Sequence, residues 1–211
     1  MSDAVKKQDR YKSVLLFGAP GVGKGTQGAI LGRIPGFWHF SCGDVFRRIN
    51  PNSELGRIFM KYSSQGKLVP DDVTVRMWTE TIQAHVVLGS FKPESDLLIL
   101  DGIPRTLDQA QLMDEHIEVL KVIHLVCTNE EAMFERLRRR ALKENRIDDA
   151  DERVIRKRWD VYEKETAPVL KWYAGSRVVN IDSLRSPGMV LHDVLEQVVP
   201  LQDAHFRNFE A

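Results

Sequence analysis

One short segment near the start of the chain carries residue types that suit phosphate binding. Residues 18–27 read GAPGVGKGTQ and follow the short run SVLLF at 13–17. Glycines let backbone amides turn toward an anion without Cβ clashes, and a helix N-terminus favours negative charge. Lys24 adds a mobile positive charge for outer phosphates. The alternative is a glycine-rich turn with a solvated lysine, but the strand–turn–helix context favours a phosphate loop.

The segment departs from the common phosphate-loop pattern at one position. Gly-x-x-x-x-Gly-Lys is followed by Gly25 instead of Ser or Thr, and the hydroxyl comes one place later, at Thr26. Gly25 allows the start of the helix to sit close to bound phosphates, while Thr26 still offers its hydroxyl. The delayed hydroxyl therefore indicates a variant of the loop and not a damaged one.

A second group of polar residues follows an apolar run in the middle of the chain. Asp101 ends the run DLLILDG at 96–102, so its carboxylate is expected near the mouth of the sheet, where the phosphate loop also opens. A carboxylate there suits a magnesium ion held through water. Arg105 follows Pro104, and its planar guanidinium suits a bidentate phosphate contact. A solvated turn aspartate and a surface arginine are the alternatives.

Arginines gather in the second half of the chain. Arg136 and Arg140 are spaced i, i+4 and share one helix face, Arg146 lies across a short loop, and Arg158 lies on the next predicted helix. Phosphoryl transfer needs positive charge around the equatorial oxygens of the moving group and little covalent help from the protein. A phosphate loop with converging arginines therefore points to phosphoryl transfer.

These residues must be positioned by strands and helices that alternate along the chain. Short continuous apolar runs separated by helical patterns predict a parallel sheet covered on both faces, in a single α/β domain. Residues 44–88 are too long to be a single helix that connects two parallel strands, and they are interpreted as a mostly helical insertion after the second strand. The predicted strands are SVLLFG (13–18), DLLILDG (96–102), VIHLVC (122–127), RVVNID (177–182) and a shorter run, FWHFS (37–41).

Composition narrows the class of protein. The 211 residues carry a formal net charge of zero, which gives no overall attraction to nucleic acid or to a membrane surface. Two cysteines and six scattered histidines suggest neither a disulfide framework nor a metal site. No apolar run approaches the ~20 residues that span a bilayer, and the polar start MSDAVKKQDRYK is unlike a signal peptide. We therefore expect a cytoplasmic protein.

The motifs together resemble the adenylate kinases and related nucleoside monophosphate kinases. GAPGVGKGTQ is similar to the phosphate loop of that family, in which the Gly-Lys-Gly-Thr order is usual. The resemblance covers nearly the whole chain, residues 13–198. Further segments follow in the family's order: FSCGDVFRR (40–48), GKLVPDDV (66–73), DGIPRTLDQA (101–110), ERLRRR (135–140), NRIDD (145–149), IRKR (155–158) and TAPVLKWY (166–173).

The resemblance implies two nucleotide sites and a set of catalytic residues. The expected ATP site consists of Gly21, Val22, Gly23, Lys24, Gly25, Thr26, Arg136 and Arg140. The expected AMP site consists of Cys42, Arg47, Lys67, Leu68, Val69, Gly102, Ile103, Pro104, Arg105, Gln109, Arg146 and Arg158. The expected catalytic residues are Lys24, Arg105, Arg136, Arg140, Arg146 and Arg158, with Asp101 holding magnesium through water.

The resemblance also implies an architecture. We expect a P-loop, doubly wound, five-stranded parallel sheet with helices on both faces. A single kinase domain, 1–211, would carry a helical monophosphate-binding insertion at about 41–69 and a short lid at about 141–151. Within the insertion, Arg47 is expected early in a helix that begins near Gly43. The short lid has no room for the four zinc-binding cysteines that some relatives carry, so no structural zinc is expected.

The implied activity is magnesium-dependent phosphoryl transfer from ATP to AMP, giving two ADP. The resemblance also implies a monomer that binds small-molecule substrates and has no nucleic-acid or membrane partner. Gln109 favours AMP, because kinases for UMP and CMP tend to have Asn there. Cys42 replaces the usual Thr, and Ile103 replaces the usual aromatic residue. The alternatives are a UMP/CMP kinase of the same fold and, from another class, a P-loop nucleotide-binding switch or ATPase. A switch needs only one nucleotide site.

Overall fold

A five-stranded sheet forms the centre of the protein. The computed structural model describes residues 10–144, 151–173, 175 and 177–206. The strands are β1 (Tyr11–Phe17), β2 (Phe37–Ser41), β3 (Leu97–Asp101), β4 (Ile117–Val126) and β5 (Val178–Asp182). Every strand pairing is parallel, and the spatial order is β2-β3-β1-β4-β5, which confirms the predicted parallel sheet.

Helices fill the connections between the strands. One of these connections contains a π-helical turn, Tyr162–Thr166. The N–H of the next residue, Ala167, donates to the Tyr162 carbonyl (2.7 Å). The helices are α1 (Lys24–Leu31), α2 (Cys42–Arg48), α3 (Glu54–Ser63), α4 (Asp71–Val87), α5 (Leu107–Met113), α6 (Glu130–Glu144), α7 (Glu152–Val161), α8 (Val169–Trp172) and α9 (Pro187–His205).

The sheet is buried on both faces. In β1, Leu15 and Phe17 join an apolar cluster that includes side chains of α4 and α5. Val14 and Leu16 join a second cluster, which includes side chains of α1 and α9. Because side chains of a strand alternate between faces, the continuous apolar sequence of β1 is what a doubly covered strand requires.

The carboxyl ends of the three strands β1, β2 and β3 lie level with one another. Leu16 of β1 and Ser41 of β2 are both in register with Asp101 of β3. The phosphate loop, the start of α2 and the Gly102 turn therefore leave the sheet at one edge. Ligands of open α/β sheets bind at this edge.

The helices of the segment that follows β2 differ in how deeply they pack. α4 buries five side chains, whereas Gly56 is the one fully buried residue of α3. Ser53 caps the start of α3 by accepting a hydrogen bond from the Gly56 N–H (3.0 Å). Among the described helices, none is both long enough and apolar enough to traverse a lipid bilayer.

Candidate active site

The phosphate loop connects β1 to α1 through backbone conformations that favour glycine. Gly18 has φ 139°, and a Cβ there would lie 2.4 Å from the Leu125 carbonyl oxygen. Gly23 caps α1 in the left-handed region, with φ 100°. The first N–H groups of a helix lack partners within the helix, so the start of α1 presents donors to an anion. The predicted loop residues from Gly21 to Thr26 all line one wide cleft.

Lys24 folds back over the loop. Its Nζ donates to the carbonyl oxygens of Gly18 (2.6 Å) and Ala19 (3.0 Å). The pKa of Lys24 is lowered to about 8, mainly because the residue is buried; Asp101 opposes this shift, and nearby arginines, Arg105 among them, add to it. An anion placed between these cations would relieve their mutual repulsion.

Asp101 lies at the end of β3, as predicted, and is 8 % exposed. Its Oδ2 is 3.5 Å from the position that a Cβ on Gly25 would occupy, so the carboxylate lies beside the start of α1. Asp101 and the exposed Thr26 both line the wide cleft. A buried carboxylate and a hydroxyl therefore face the same cleft beside the phosphate loop.

The wide cleft, which we call the outer cleft, has a volume of about 1270 Å³. Arg136 and Arg140 line it from one face of α6, as their spacing predicts. The Arg136 guanidinium donates through Nη1 to the Ser183 carbonyl (3.0 Å), beyond the end of β5. The outer cleft is thus lined both by the phosphate loop and by arginines of α6.

A smaller cavity of about 140 Å³, which we call the inner cavity, lies beside the outer cleft. It is lined by apolar side chains from β1, α2 and α3 together with a few polar groups. All but two of the residues expected at the AMP site line it: Cys42, Arg47, Lys67, Leu68, Val69, Gly102, Pro104, Arg105, Gln109 and Arg158.

The remaining two expected residues are placed differently. Ile103 is buried in the apolar core, and it is absent from the described lining of both the inner cavity and the outer cleft. Arg146 falls within residues 145–150, outside the described part of the chain, so its place in the site stays a prediction.

Arg105 is held at the mouth of the inner cavity by its own turn. Its Nε donates to the Gly102 carbonyl (2.9 Å), and one guanidinium nitrogen lies 2.8 Å from where a Cβ on Gly102 would be. A side chain at position 102 would therefore displace the guanidinium. The fixed planar group faces both the inner cavity and the outer cleft.

Gln109 is almost fully buried, with 1 % of its surface exposed. Its Oε1 accepts from the Arg105 N–H (2.7 Å), and its Nε2 donates to Asp71 Oδ1 (2.8 Å). Thr106 caps α5 by accepting from the Gln109 N–H (3.1 Å). A primary amide has two N–H donors and two acceptor lone pairs, so these contacts leave one of each for a ligand.

Arg47 is not early in its helix, contrary to the expectation from sequence. α2 ends at Arg48, so Arg47 lies in its last turn. There it forms an ion pair with Asp44 (2.5 Å), three residues earlier on the same face. The chain leaves the helix at Ile49 in an extended conformation, which is why the helix is shorter than the sequence suggested.

Cys42 begins α2 and is buried. Burial raises the pKa of its thiol to about 12, so the group is a neutral thiol at physiological pH. It lines the inner cavity beside Gly43. It contributes a small, weakly polar surface to that wall.

Four basic residues line both the inner cavity and the outer cleft: Lys24, Arg47, Arg105 and Arg158. They come from α1, α2, the turn after β3, and α7. The two spaces are therefore neighbours across a shared cationic boundary. Two anionic ligands bound on either side would meet there.

The family model described as adenylate kinase matches residues 16–178 of the chain. That range contains the phosphate loop, both cavities' main walls and most of the sheet. The chain belongs to the adenylate kinase family. It is thus a nucleoside monophosphate kinase, and the resemblance inferred from sequence is confirmed.

Individual adenylate kinases match most of the chain. One from Kocuria rhizophila is 38% identical over 179 residues, which cover 82% of this chain and 91% of that protein. One from Phocaeicola vulgatus is 35% identical over 195 residues, or 90% and 99% of the two chains. One from Cyanothece sp. is 38% identical over 176 residues, or 80% and 86%.

Sequence reasoning missed one polar residue that supports this adenylate kinase family site. Asp71 binds Gln109 although 38 positions separate them in sequence. No local pattern links the two, because the contact depends on how α4 packs against α5. The Thr-x-x-Gln spacing of Thr106 and Gln109 did carry a signal. It is the spacing of a capping box, in which the Gln side chain returns to the backbone near the helix start, and here it returns to Arg105.

Proposed function

We propose that the protein catalyses reversible phosphoryl transfer from ATP to AMP, giving two ADP. The observation that carries this proposal is the pair of neighbouring spaces with a shared boundary of Lys24, Arg47, Arg105 and Arg158. A nucleotide-binding switch or ATPase requires one nucleotide site and an attacking water. Two sites that meet at a cationic boundary suit transfer between two nucleotides.

ATP would occupy the outer cleft. Its phosphates would lie on the phosphate loop and at the start of α1, where Gly21, Val22, Gly23, Gly25 and Thr26 supply backbone and hydroxyl donors. Arg136 and Arg140 would contact the triphosphate from α6. Lys24 would leave its loop carbonyls for the phosphates, because an anion offers its ammonium a stronger partner.

AMP would occupy the inner cavity. Arg47 and Arg105 would bind its phosphate, and Arg105 is already oriented by Gly102. The base would lie against the apolar wall and near the buried amide of Gln109. The remaining residues that would line the bound nucleoside are Cys42, Lys67, Leu68, Val69, Gly102 and Pro104.

The transfer step requires little covalent chemistry from the protein. An oxygen of the AMP phosphate attacks the γ-phosphorus of ATP, a new P–O bond forms, and the bond from γ-phosphorus to the β–γ bridging oxygen breaks. ADP leaves from the donor side and ADP forms on the acceptor side. Lys24, Arg105, Arg136, Arg140 and Arg158 would stabilise the charge that spreads over the equatorial oxygens.

The donor set at the loop fits magnesium. Asp101 is a buried carboxylate and Thr26 offers a hydroxyl, and both side chains line the outer cleft. Mg²⁺ prefers oxygen ligands and keeps several waters, so Asp101 would hold it through water. When bound, the ion neutralises phosphate charge. Asp101 would keep it at the loop while the arginines act from the opposite side.

Several features of the protein stay predictions. These are the domain division into a core, an insertion at about 41–69 and a lid at about 141–151, the monomeric state, the cytoplasmic location, and the roles of Arg146 and Ile103. A lid without zinc is also a prediction, because residues 145–150 fall outside the described part of the chain.

A panel of monophosphates with ATP and magnesium tests the proposed acceptor. Gln109 retains one N–H donor and one lone pair, which match the adjacent donor and acceptor of adenine. We expect kcat/KM for AMP to exceed that for CMP, UMP and GMP by roughly ten- to hundredfold, because a mismatched base leaves a buried amide unpaired. Gln109→Ala should narrow this difference.

Gln111→Ala is a matched control, since Gln111 is an exposed residue of the same helix. It should leave the preference for AMP intact. A higher kcat/KM for CMP or UMP than for AMP would replace the proposal with a pyrimidine monophosphate kinase. Phosphate release from ATP at the same rate with and without any monophosphate would instead indicate an ATPase.

A further inference from the structure

The amide of Gln109 is held in one orientation by two partners of opposite character. Asp71 is the first residue of α4, and its Oδ1 accepts from Gln109 Nε2 (2.8 Å). The Arg105 N–H donates to Gln109 Oε1 (2.7 Å). An ionised carboxylate only accepts hydrogen bonds and a backbone N–H only donates. Both contacts therefore require the same orientation of the amide.

The orientation determines which base edge the amide can pair with. Adenine presents an acceptor at N1 beside an amino donor at N6, whereas hypoxanthine presents a donor, N1–H, beside an acceptor, O6. A glutamine amide can match either edge, but matching the second requires it to turn over and exchange its oxygen and nitrogen. In this protein the turn would place the amide oxygen against the Asp71 carboxylate and the amide nitrogen against the Arg105 N–H.

We propose that Asp71 is a positioning residue for base selection, which makes the inner cavity accept adenine and reject bases of the hypoxanthine type. It acts through Gln109, because it is absent from the described lining of both cavities. The proposal rests on the proposed function, since it takes the inner cavity as the monophosphate site. It extends that function by assigning base discrimination to a residue 38 positions from the amide it orients.

Asp71→Asn is the informative substitution. An Asn side chain of the same shape either accepts or donates, so a turned Gln109 amide would keep a partner at position 71 and lose only the Arg105 contact. With ATP as donor, the ratio of kcat/KM for AMP to kcat/KM for inosine monophosphate should fall about tenfold relative to the wild-type protein. General damage to the fold or to the ATP site lowers both values together and leaves their ratio unchanged.

Asp72→Asn is the matched control. Asp72 is the next residue, lies in the same first turn of α4 and is exposed. The substitution removes the same negative charge from the same helix N-terminus. Its ratio of AMP to inosine monophosphate should stay within about twofold of the wild-type ratio, a difference of about 0.4 kcal/mol.

A second variant and a second measurement complete the test. If Asp71→Asn does not fold, Asp71→Ser also offers a group that donates or accepts, on a residue that helix starts favour. Equilibrium binding of AMP and of inosine monophosphate to each variant gives the same ratio without turnover. It therefore tests Asp71 even if the wild-type protein fails to phosphorylate AMP, the result that would refute the proposed function. An unchanged ratio in a folded Asp71 variant, by turnover or by binding, overturns the role of Asp71.

Discussion

Lys24 combines an expected catalytic role with a cost to the folded protein. Burial lowers the pKa of Lys24 from 10.5 to about 8. The folded protein thus binds this proton less tightly than the unfolded chain does. Below pH 8 both states are protonated and the full cost is present. Between pH 8 and about 10.5 the folded state has released a proton that the unfolded state still holds, so the cost disappears as pH rises.

Lys24→Met removes this titration. We expect the free energy of unfolding of the wild-type protein, relative to the variant, to rise between pH 7 and pH 10, as measured by urea denaturation at the two pH values. Lys92→Met is the control: Lys92 is exposed, so this variant measures how the loss of one positive charge alone changes the free energy of unfolding. At pH 7 the Lys24 variant should also lose far more turnover than ATP affinity. If the difference in free energy of unfolding between wild type and variant does not change with pH, then folding does not disfavour the charged form of Lys24.

The π-helical turn after α7 is tied to the sheet by a chain of side-chain hydrogen bonds. Asn180 Oδ1 accepts from His124 Nδ1 (2.8 Å), so His124 Nε2 accepts from the Tyr162 hydroxyl (3.0 Å). Burial lowers the pKa of His124, with Lys24 acting in the same direction and the Asn180 bond opposing both. The neutral ring that results can donate at one nitrogen and accept at the other. Tyr162 is the first residue of the π-helical turn and lines the inner cavity, as Arg158 of α7 does, so this anchor lies at the wall of that cavity.

A double-mutant cycle tests this anchor. Tyr162→Phe removes the hydroxyl and should lower the free energy of unfolding by about 1 kcal/mol. In the double variant with His124→Leu, the two changes in the free energy of unfolding should be non-additive by about the same amount. The reason is that each substitution removes the same hydrogen bond, the one between Tyr162 and His124. Tyr173→Phe is the control, since Tyr173 is a buried tyrosine that packs against Phe17. Additive effects of the Tyr162 and His124 substitutions would refute the anchor.

The elements that could be predicted from sequence are those whose signal is local. β2 and β3 were predicted to within a residue at each end, because buried parallel strands are continuous apolar runs. The first half of β4 was missed. It reads IEVLK, with Glu118 and Lys121 interrupting the apolar run, and it extends beyond the part of β4 that pairs with β5.

The residues of the site also fall into two groups, those with a local sequence signal and those without one. The phosphate loop, Asp101 and Arg105 are recognisable because each belongs to a motif of neighbouring residues. The contacts of Asp71 with Gln109, and of His124 with Tyr162, join residues on different elements. Such contacts depend on packing between elements, which hydrophobic periodicity does not encode. The π-helical turn was not anticipated for the same reason.

At the scale of the whole molecule, α3 packs loosely against the core, because only Gly56 among its residues is buried. Most of its apolar side chains are only partly buried, while Phe59 and Ser63 line both cavities and Met60 lines the outer cleft. Segments with few buried contacts open most readily, and excluding water from the transferred group requires the cavities to close. We therefore predict that α3 moves onto the substrates.

Hydrogen exchange measures this closure. A bisubstrate analogue that links two adenosines should increase protection of α3 amides more than of α4 amides, because α4 already buries five side chains. β3, whose apolar residues are fully buried, serves as the internal reference. Equal protection of α3 with and without the analogue would contradict closure. The same measurement covers the expected lid at 141–151, where closure stays a prediction from sequence.

The strand order has a consequence for how the chain is synthesised. β1 lies between β3 and β4, and it shares no edge with β2, the next strand to be made. As the chain leaves the ribosome, the strand that carries the phosphate loop therefore has neither neighbour until Leu97 and the residues after it have emerged. Its unpaired backbone edges and its apolar side chains are exposed during that interval, and such strands are where nascent chains associate with one another. Chaperone demand should thus be concentrated in the interval between the emergence of β1 and the emergence of β3.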